Sequence, residues 1–180
     1  MKFEKLFING VWLISPEILS DERGFFRRSF CSVEFNQHGL EPAVLQGNIS
    51  VNPVRGTLRG FHYQIAPAAE AKTLTCVLGS LYDVVVDLRP NSETFLKWQA
   101  VELNSVDCQS LYIPKGCANG YLTTDENTVI HYYMSELYVP DLYRGFKYDD
   151  PKVAAAWPFE PVLISDKDRS YPDLDILALA

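Results

Sequence analysis

The sequence is poor in the residues that usually bind metals. No two of its histidines form the HxH pair that anchors metals in many β-barrels, and its four cysteines contain no CxxC pair. We therefore expect buried free thiols, no zinc or redox motif, and no metal centre. The 180 residues include only three histidines: His38, His62 and His131.

Long apolar runs and excess positive charge are also missing. No apolar run reaches the roughly 18 to 20 residues of a membrane span, and the N-terminal segment lacks the apolar core and cleavage site of a signal peptide. The chain has 16 basic and 23 acidic residues, so it lacks the basic field that nucleic acid binding requires. These features predict a cytoplasmic protein with neither a membrane nor a nucleic acid as partner. The net negative charge does not exclude a small phosphorylated ligand, which a few Arg and Lys side chains can hold.

Short segments rich in Val, Ile, Thr, Tyr and Phe alternate with Gly and Pro along the chain. Without repeats or linkers, they predict one domain over residues 1–180. Their length and spacing predict an all-β fold, an antiparallel β-barrel or jelly roll with short peripheral helices. The predicted strands are 10–15, 25–30, 45–51, 57–64, 72–78, 81–88, 98–103, 108–113, 120–123 and 128–134.

One hairpin and two helices can also be predicted. Residues 73–78 and 81–88 flank Gly79-Ser80, which suits a two-residue hairpin turn. Residues 32–38 could form two helical turns capped by Ser32, and residues 150–156 could do so with Pro151 at the first position.

His62 is the clearest candidate for chemistry because imidazole titrates near neutral pH. Its segment, residues 58–64 (LRGFHYQ), fits either a polar edge strand or the wall of a cavity. In a regular strand Arg59 and His62 point to opposite faces, but Gly60 could allow a bulge that turns one of them. Read alone, Lys72 suits a solvated side chain and Tyr132 a core aromatic.

Taken together, several segments resemble the nucleotide-sugar 3,5-epimerase family, typified by dTDP-4-dehydrorhamnose 3,5-epimerase. The resemblance covers roughly residues 5–173 in order, and the ordered set is more specific than any one motif. Lys72 belongs to it, as do residues 21–26 (DERGFF), 46–50 (QGNIS), 56–64 (GTLRGFHYQ), 82–89 (YDVVVDLR), 113–116 (IPKG), 132–140 (YYMSELYVP), 149–151 (DDP), 157–158 (WP) and 165–168 (SDKD).

The resemblance implies a metal-free, cupin-like jelly roll without cofactors, usually a homodimer that exchanges strands between subunits. It also implies a substrate of the nucleotide-diphospho-4-keto-6-deoxyhexose class, epimerised through removal and return of protons next to the keto group. In this scheme His62 is the base, Asp168 orients it, Lys72 stabilises the enolate oxygen and Tyr132 is the acid on the opposite face.

The resemblance also implies binding roles. Arg59 matches an arginine that holds the diphosphate, and Arg23 lies in a segment that reaches the nucleotide from the partner subunit. The pocket lining and base contacts would come from Gln46, Asn48, Phe26 and Tyr138.

Two departures from the family pattern bear on specificity. Asn119 stands where the family commonly has a histidine, and Arg28 stands where it commonly has an acidic residue. An amide cannot carry the charge of an imidazolium, and a guanidinium reverses the hydrogen bonding of a carboxylate. The nucleotide therefore stays open among dTDP, CDP, GDP and UDP. A single-carbon epimerase, a ketoisomerase and a non-catalytic sugar-nucleotide-binding barrel are the alternatives.

Overall fold

The fold is built almost entirely from antiparallel strands. A computed structural model describes residues 1–179, which contain fourteen strands and two short α-helices. The strands are β1 (Lys2–Lys5), β2 (Trp12–Ser15), β3 (Ile18–Asp21), β4 (Gly24–Arg27), β5 (Gln46–Asn52), β6 (Thr57–Gln64), β7 (Lys72–Leu78), β8 (Ser80–Asp87), β9 (Trp98–Asn104), β10 (Ser110–Ile113), β11 (Cys117–Thr123), β12 (Thr128–Met134), β13 (Tyr143–Gly145) and β14 (Leu163–Ile164). The helices are α1 (Ser32–Gln37) and α2 (Asp166–Ser170), and 3-10 turns cover Pro140–Leu142 and Ile176–Leu179.

Two large sheets pack against each other. The first has the strand order β1-β2-β10-β7-β12-β5, and the second has the order β13-β6-β11-β8-β9 with β14 added beside β6. Strands β3 and β4 form a separate two-stranded hairpin. Every pairing is antiparallel except that of β14 with β6. The prediction of an all-β antiparallel fold with short helices is confirmed.

Strand β8 is buried on both of its faces. Leu81 and Val85 face the first sheet and pack in its core, whereas Val84 and Val86 pack against the C-terminal segment. Asp83 lies on the inner face between Leu81 and Val85 and is fully buried. A carboxyl group in this position needs polar neighbours, because an unpaired charge in a dry core is costly. Its partners belong to the site described below.

The predicted hairpin around Gly79 is wrong, because Gly79 carries the chain from one sheet to the other. Leu78 at the end of β7 pairs with Val129 in the first sheet, whereas Ser80 at the start of β8 pairs with Asn104 in the second. Gly79 takes a left-handed conformation with φ of +75° and redirects the chain between the sheets. The Gly-Ser sequence indicates a change of chain direction, but it does not determine which strands pair with β7 and β8.

The first predicted helix is confirmed, although its cap differs. Helix α1 spans Ser32–Gln37, and its N-cap residue is Cys31, which makes no capping hydrogen bond through its side chain. Ser32 is therefore inside the helix rather than its cap.

The second predicted helix, over residues 150–156, does not form. The Asp150 carboxylate accepts the backbone N–H groups of Lys152 and Val153, as a helix N-cap does, but only one turn follows. Ala154 then has a φ of +49°, which a right-handed helix cannot accommodate. A short helix forms instead at Asp166–Ser170, where Ser165 Oγ accepts the Asp168 N–H at 3.1 Å.

Candidate active site

A polar cavity of about 430 Å³ opens between the two sheets. Strands β5, β7 and β12 of the first sheet form one wall, and strands β6, β11 and β13 of the second form the other. Most of the site residues predicted from the sequence line this one cavity. They are Gln46, Asn48, Arg59, His62, Lys72, Asn119, Tyr132 and Tyr138.

A bulge in β6 directs Arg59 and His62 into the same cavity. His62 pairs with Asn119 and Arg59 pairs with Tyr121, so three steps along β6 match only two steps along β11. Gly60 lies between them with a φ of +130°, and a Cβ atom there would come within 2.3 Å of Gly120 Cα. Only glycine fits this close approach, which resolves the strand-parity problem seen in the sequence.

His62 is paired with Asp168 at the back of the cavity. The Nε2 atom of His62 lies 2.8 Å from Asp168 Oδ1, and Asp168 Oδ2 accepts the Gly60 N–H at 3.3 Å. Because helix α2 carries Asp168 into contact with β6, the carboxylate is buried rather than on a surface turn. An ionised Asp168 requires Nε2 of His62 to be the protonated nitrogen, so we assign the free lone pair to Nδ1.

The two pKa shifts support this assignment. Burial lowers the pKa of His62 and outweighs the opposing effect of Asp168, while the Lys72 and Lys167 charges lower it further. For Asp168, burial acts to raise the pKa, but the hydrogen bonds from His62 and Gly60 hold it below the usual aspartate value. At neutral pH the pair is therefore a neutral imidazole beside a carboxylate, which is the protonation state that a general base needs.

Lys72 is buried in the cavity wall, where its ammonium group makes three polar contacts. Its Nζ donates to Asn119 Oδ1 at 3.1 Å and to the His62 backbone oxygen at 3.2 Å. Nζ also lies 3.3 Å from Glu70 Oε1, a charge contact whose geometry falls outside that of a hydrogen bond. Lys72 is only 9% exposed, so it is a fixed cation in the site and not the solvated side chain that its position alone allowed.

Tyr132 enters the cavity from the wall opposite His62. It lies on β12, where it pairs with Leu74 on one side and Asn48 on the other. Burial raises the pKa of Tyr132, so its phenol stays protonated at neutral pH and can donate a proton.

Three predicted binding residues lie outside the cavity of their own chain. Arg23, in the β3–β4 turn, pairs with Asp21, and Phe26 on β4 is 70% exposed. Arg28 follows β4 and its Nη1 lies 2.9 Å from Glu34 Oε1.

Two polar residues of the site, one lining the cavity and one behind its wall, were not predicted from the sequence. Tyr143 on β13 places its ring 5.3 Å from the His62 ring and 5.1 Å from the Tyr138 ring, and burial strongly raises its pKa. Asp83 reaches the site through Asn119, whose Nδ2 donates to Asp83 Oδ2 at 3.1 Å. Strand β13 has only three residues and forms by a non-local pairing with β6, so no local pattern marks Tyr143.

Two packed antiparallel sheets that open a polar cavity between them form a cupin-like jelly roll, and its His–Asp pair suits proton transfer. The model of the dTDP-4-dehydrorhamnose 3,5-epimerase family matches residues 5–175. The chain therefore belongs to this family of isomerases, and the resemblance seen in the sequence is confirmed.

Known relatives are similar to this chain over nearly its whole length. A dTDP-4-dehydrorhamnose 3,5-epimerase from Methanothermobacter thermautotrophicus is 38% identical, over 96% of this chain and 94% of the relative. The crystal structure of the dTDP-4-dehydrorhamnose 3,5-epimerase from Elizabethkingia anophelis superposes with a TM-score of 0.91 at 33% identity, covering 96% of each chain. ChmJ, a 3'-monoepimerase from Streptomyces bikiniensis solved with dTDP-quinovose, gives a TM-score of 0.86 at 35% identity, covering 94% of this chain and 86% of ChmJ.

Proposed function

We propose that the chain epimerises C3, C5 or both in a nucleotide-diphospho-4-keto-6-deoxyhexose, as a step in deoxysugar biosynthesis. The observation that carries the proposal is the position of His62 and Tyr132, which extend into one cavity from opposite sheets. Inverting a ring carbon requires a proton to leave one face and a proton to return to the other. Family membership supports the same reaction class.

The keto group at C4 makes this exchange accessible, because the electron pair left on C3 or C5 delocalises onto the C4 oxygen as an enolate. Nδ1 of His62 takes the proton from the carbon, and Asp168 stabilises the resulting imidazolium. The ammonium of Lys72 stabilises the enolate oxygen. Tyr132 then donates its proton to the opposite face of the ring carbon as the C4 carbonyl re-forms. Between turnovers the His62 imidazolium releases its proton to water, and the Tyr132 phenolate takes up a proton from water.

The remaining cavity residues suit a nucleotide-sugar ligand. Arg59 donates through Nε to Asn52 Oδ1 at 2.9 Å, which leaves its terminal nitrogens free to hold the diphosphate. Gln46 and Asn48 offer amide groups to sugar hydroxyls, and Tyr138 offers an aromatic face. The amide of Asn119 also lines the cavity but is engaged by Lys72 and Asp83.

A homodimer with exchanged strands would complete the site. The β3–β4 hairpin exposes Phe25 and Phe26 at 59% and 70%, and a lone two-stranded hairpin has little stability of its own. Strand β5 is an edge strand with exposed Ile49 and Val51, and it lines the cavity. Pairing of the hairpin of one copy with β5 of another covers both apolar surfaces. It also brings Phe26, Arg23 and Arg28 toward the partner's cavity.

Single-carbon epimerisation is the second candidate. Asn119 has no acid–base capacity, so this chain carries one imidazole in the cavity, and the neighbouring structure of ChmJ is that of a monoepimerase. The nucleotide, the carbons inverted and the cytoplasmic location are predictions from the sequence.

The test is proton exchange in D₂O followed by NMR. The dTDP-, CDP-, GDP- and UDP-linked 4-keto-6-deoxyhexoses are incubated with the protein, and deuterium at C3 and C5 is measured. Uptake at both carbons supports the double epimerase, and uptake at one carbon supports the second candidate. Absence of uptake from all four substrates refutes the proposed function, and the non-catalytic binding barrel then stands if the same sugars bind in calorimetry.

A further inference from the structure

A buried polar row crosses the back of the cavity from β8 to β7. Asn119 Nδ2 donates to Asp83 Oδ2 at 3.1 Å, and Lys72 Nζ donates to Asn119 Oδ1 at 3.1 Å. The three side chains come from three different strands, β8, β11 and β7, and each is buried. Such a row fixes the relative positions of its members, because each hydrogen bond constrains the next.

Asp83 is the most deeply buried member of the row. It has no exposed surface, and within residues 1–179 its Oδ1 atom has no hydrogen-bond partner. Burial raises the pKa of Asp83 to about 8, against the opposing effects of Asn119 and Lys72. The charged neighbour that bears on its pKa is Lys72 on β7, and Tyr121 lies directly across from it on β11. In the observed arrangement Asp83 offers Oδ2 as an acceptor to the Asn119 amide.

The orientation of the Asn119 amide decides what Lys72 meets. In the observed orientation, Oδ1 faces the ammonium and Nδ2 faces Asp83. The reversed amide would place a donor against a cation and an acceptor near the acid. Two contacts favour the observed orientation: Asp83 Oδ2 accepts the Nδ2 hydrogen bond, and the Lys72 ammonium donates to Oδ1.

We propose that Asp83 is a positioning residue that acts through Asn119 to hold Lys72 where the enolate oxygen of the substrate develops. Asp83 itself touches no substrate. This role rests on the proposed function, since it assumes that Lys72 stabilises an enolate. It also gives Asn119 a role that suits an amide: Nδ2 donates to Asp83, and Oδ1 accepts from the Lys72 ammonium.

The test compares Asp83→Leu with Asp83→Asn in the full-length protein. Asp83→Leu keeps the branching at Cγ but removes the acceptor, so the Asn119 amide loses its Nδ2 hydrogen bond and is no longer held from that side. We expect kcat to fall at least about tenfold, with KM close to that of the wild type because the nucleotide contacts are untouched. Asp83→Asn keeps an acceptor oxygen, and we expect it to restore kcat to within about threefold.

Crystal structures of both variants provide a readout that does not need activity. Lys72 Nζ should leave Asn119 in Asp83→Leu and keep its contact in Asp83→Asn. Val85→Ala, on the same strand and buried at 0%, controls for general destabilisation and should change the melting temperature without this pattern. A wild-type kcat in Asp83→Leu, or Lys72 unmoved in its structure, overturns the inference.

Failure of the inference is distinct from failure of the proposed function. A wild-type protein that shows no deuterium uptake refutes the function, while the positions of Lys72 in the two variant structures still decide whether Asp83 orients it. An active wild type with an equally active Asp83→Leu variant refutes the inference alone.

Discussion

The Nε2 atom of His62 lies 2.8 Å from Asp168 Oδ1, although the two residues are 106 positions apart in the sequence. The contact joins β6 to the short helix α2 near the C-terminus. It leaves Nδ1 of His62 as the nitrogen with a free lone pair, and it places the base on one wall of a cavity whose other wall carries Tyr132. The predictions below depend on this division between the two walls.

The first prediction separates the base from the acid. His62→Ala should abolish the exchange of substrate protons with D₂O, lowering it by about 10²- to 10⁴-fold, because no other imidazole lines the cavity. Tyr132→Phe should spare exchange but slow formation of the epimer, since the carbanion still forms and is reprotonated on its original face. NMR of deuterium uptake and of product measures both rates.

Tyr133→Phe is the matched control for the acid. Tyr133 is next to Tyr132 on β12, but its hydroxyl contacts Ser29 at 3.3 Å and its ring packs on Phe30. Removing this hydroxyl should leave both rates near the wild-type values. Equal loss of exchange in His62→Ala and Tyr132→Phe would contradict the assignment of acid and base.

The second prediction concerns the pH dependence of kcat/KM. Because burial lowers the pKa of His62 from its usual value of 6.5, the neutral base persists below that pH. Activity should therefore fall only as the pH drops through a value under 6.5, on the acid side of the profile. A midpoint above 6.5 would show that the effect of Asp168 exceeds that of burial.

Asp168→Asn sharpens this test. The carboxylate raises the pKa of His62 through a hydrogen bond and its charge, so the amide should move the acid limb to still lower pH. At the same time kcat should fall by about 10²-fold or more, because the imidazolium and its orientation lose their support. An acid limb that moves to higher pH would contradict the pairing.

The third prediction concerns the diphosphate. Arg59→Ala should raise KM far more than it lowers kcat, because a contact made equally in the ground state and the transition state contributes only to binding. Arg55→Ala is the control, since Arg55 lies just before β6, where its guanidinium stacks on Phe159 at 4.2 Å and donates to Thr124 O. Steady-state kinetics with both variants would show an unchanged KM for Arg59→Ala if the placement is wrong.

The fold class was predictable from the sequence because strands leave a local signal. Short β-branched and aromatic segments ended by Gly and Pro marked β6, β7, β8 and β12 with the observed bounds or within one residue of them. The pairing of strands within a sheet leaves no such local signal, which is why the predicted hairpin at Gly79 is wrong. At Asp150 the sequence signal for a helix start is real, since its carboxylate caps the N–H groups of Lys152 and Val153, but the positive φ of Ala154 ends the segment after one turn.

The residues of the candidate site likewise divide into those that the sequence indicates and those that only the fold brings together. His62 stands out by residue type, and the family resemblance supplied the other predicted residues, Lys72 among them. Asp83 is one polar position within the predicted strand 81–88, and only the three-dimensional fold places it against Asn119. Tyr143 gave no signal for the same reason, as β13 is defined solely by its pairing with β6.

The last prediction tests whether a second copy completes the site. If the β3–β4 hairpin of one subunit reaches the cavity of the other, a Phe26→Ala/Arg28→Ala variant and a His62→Ala variant each have two defective sites. Mixed dimers would then contain one site with both defects and one with neither. Refolding a one-to-one mixture should restore about a quarter of the wild-type kcat, because half of the dimers are mixed and each has one intact site. Two variants that stay inactive after mixing, while native mass spectrometry shows mixed dimers, would place the hairpin over the cavity of its own chain.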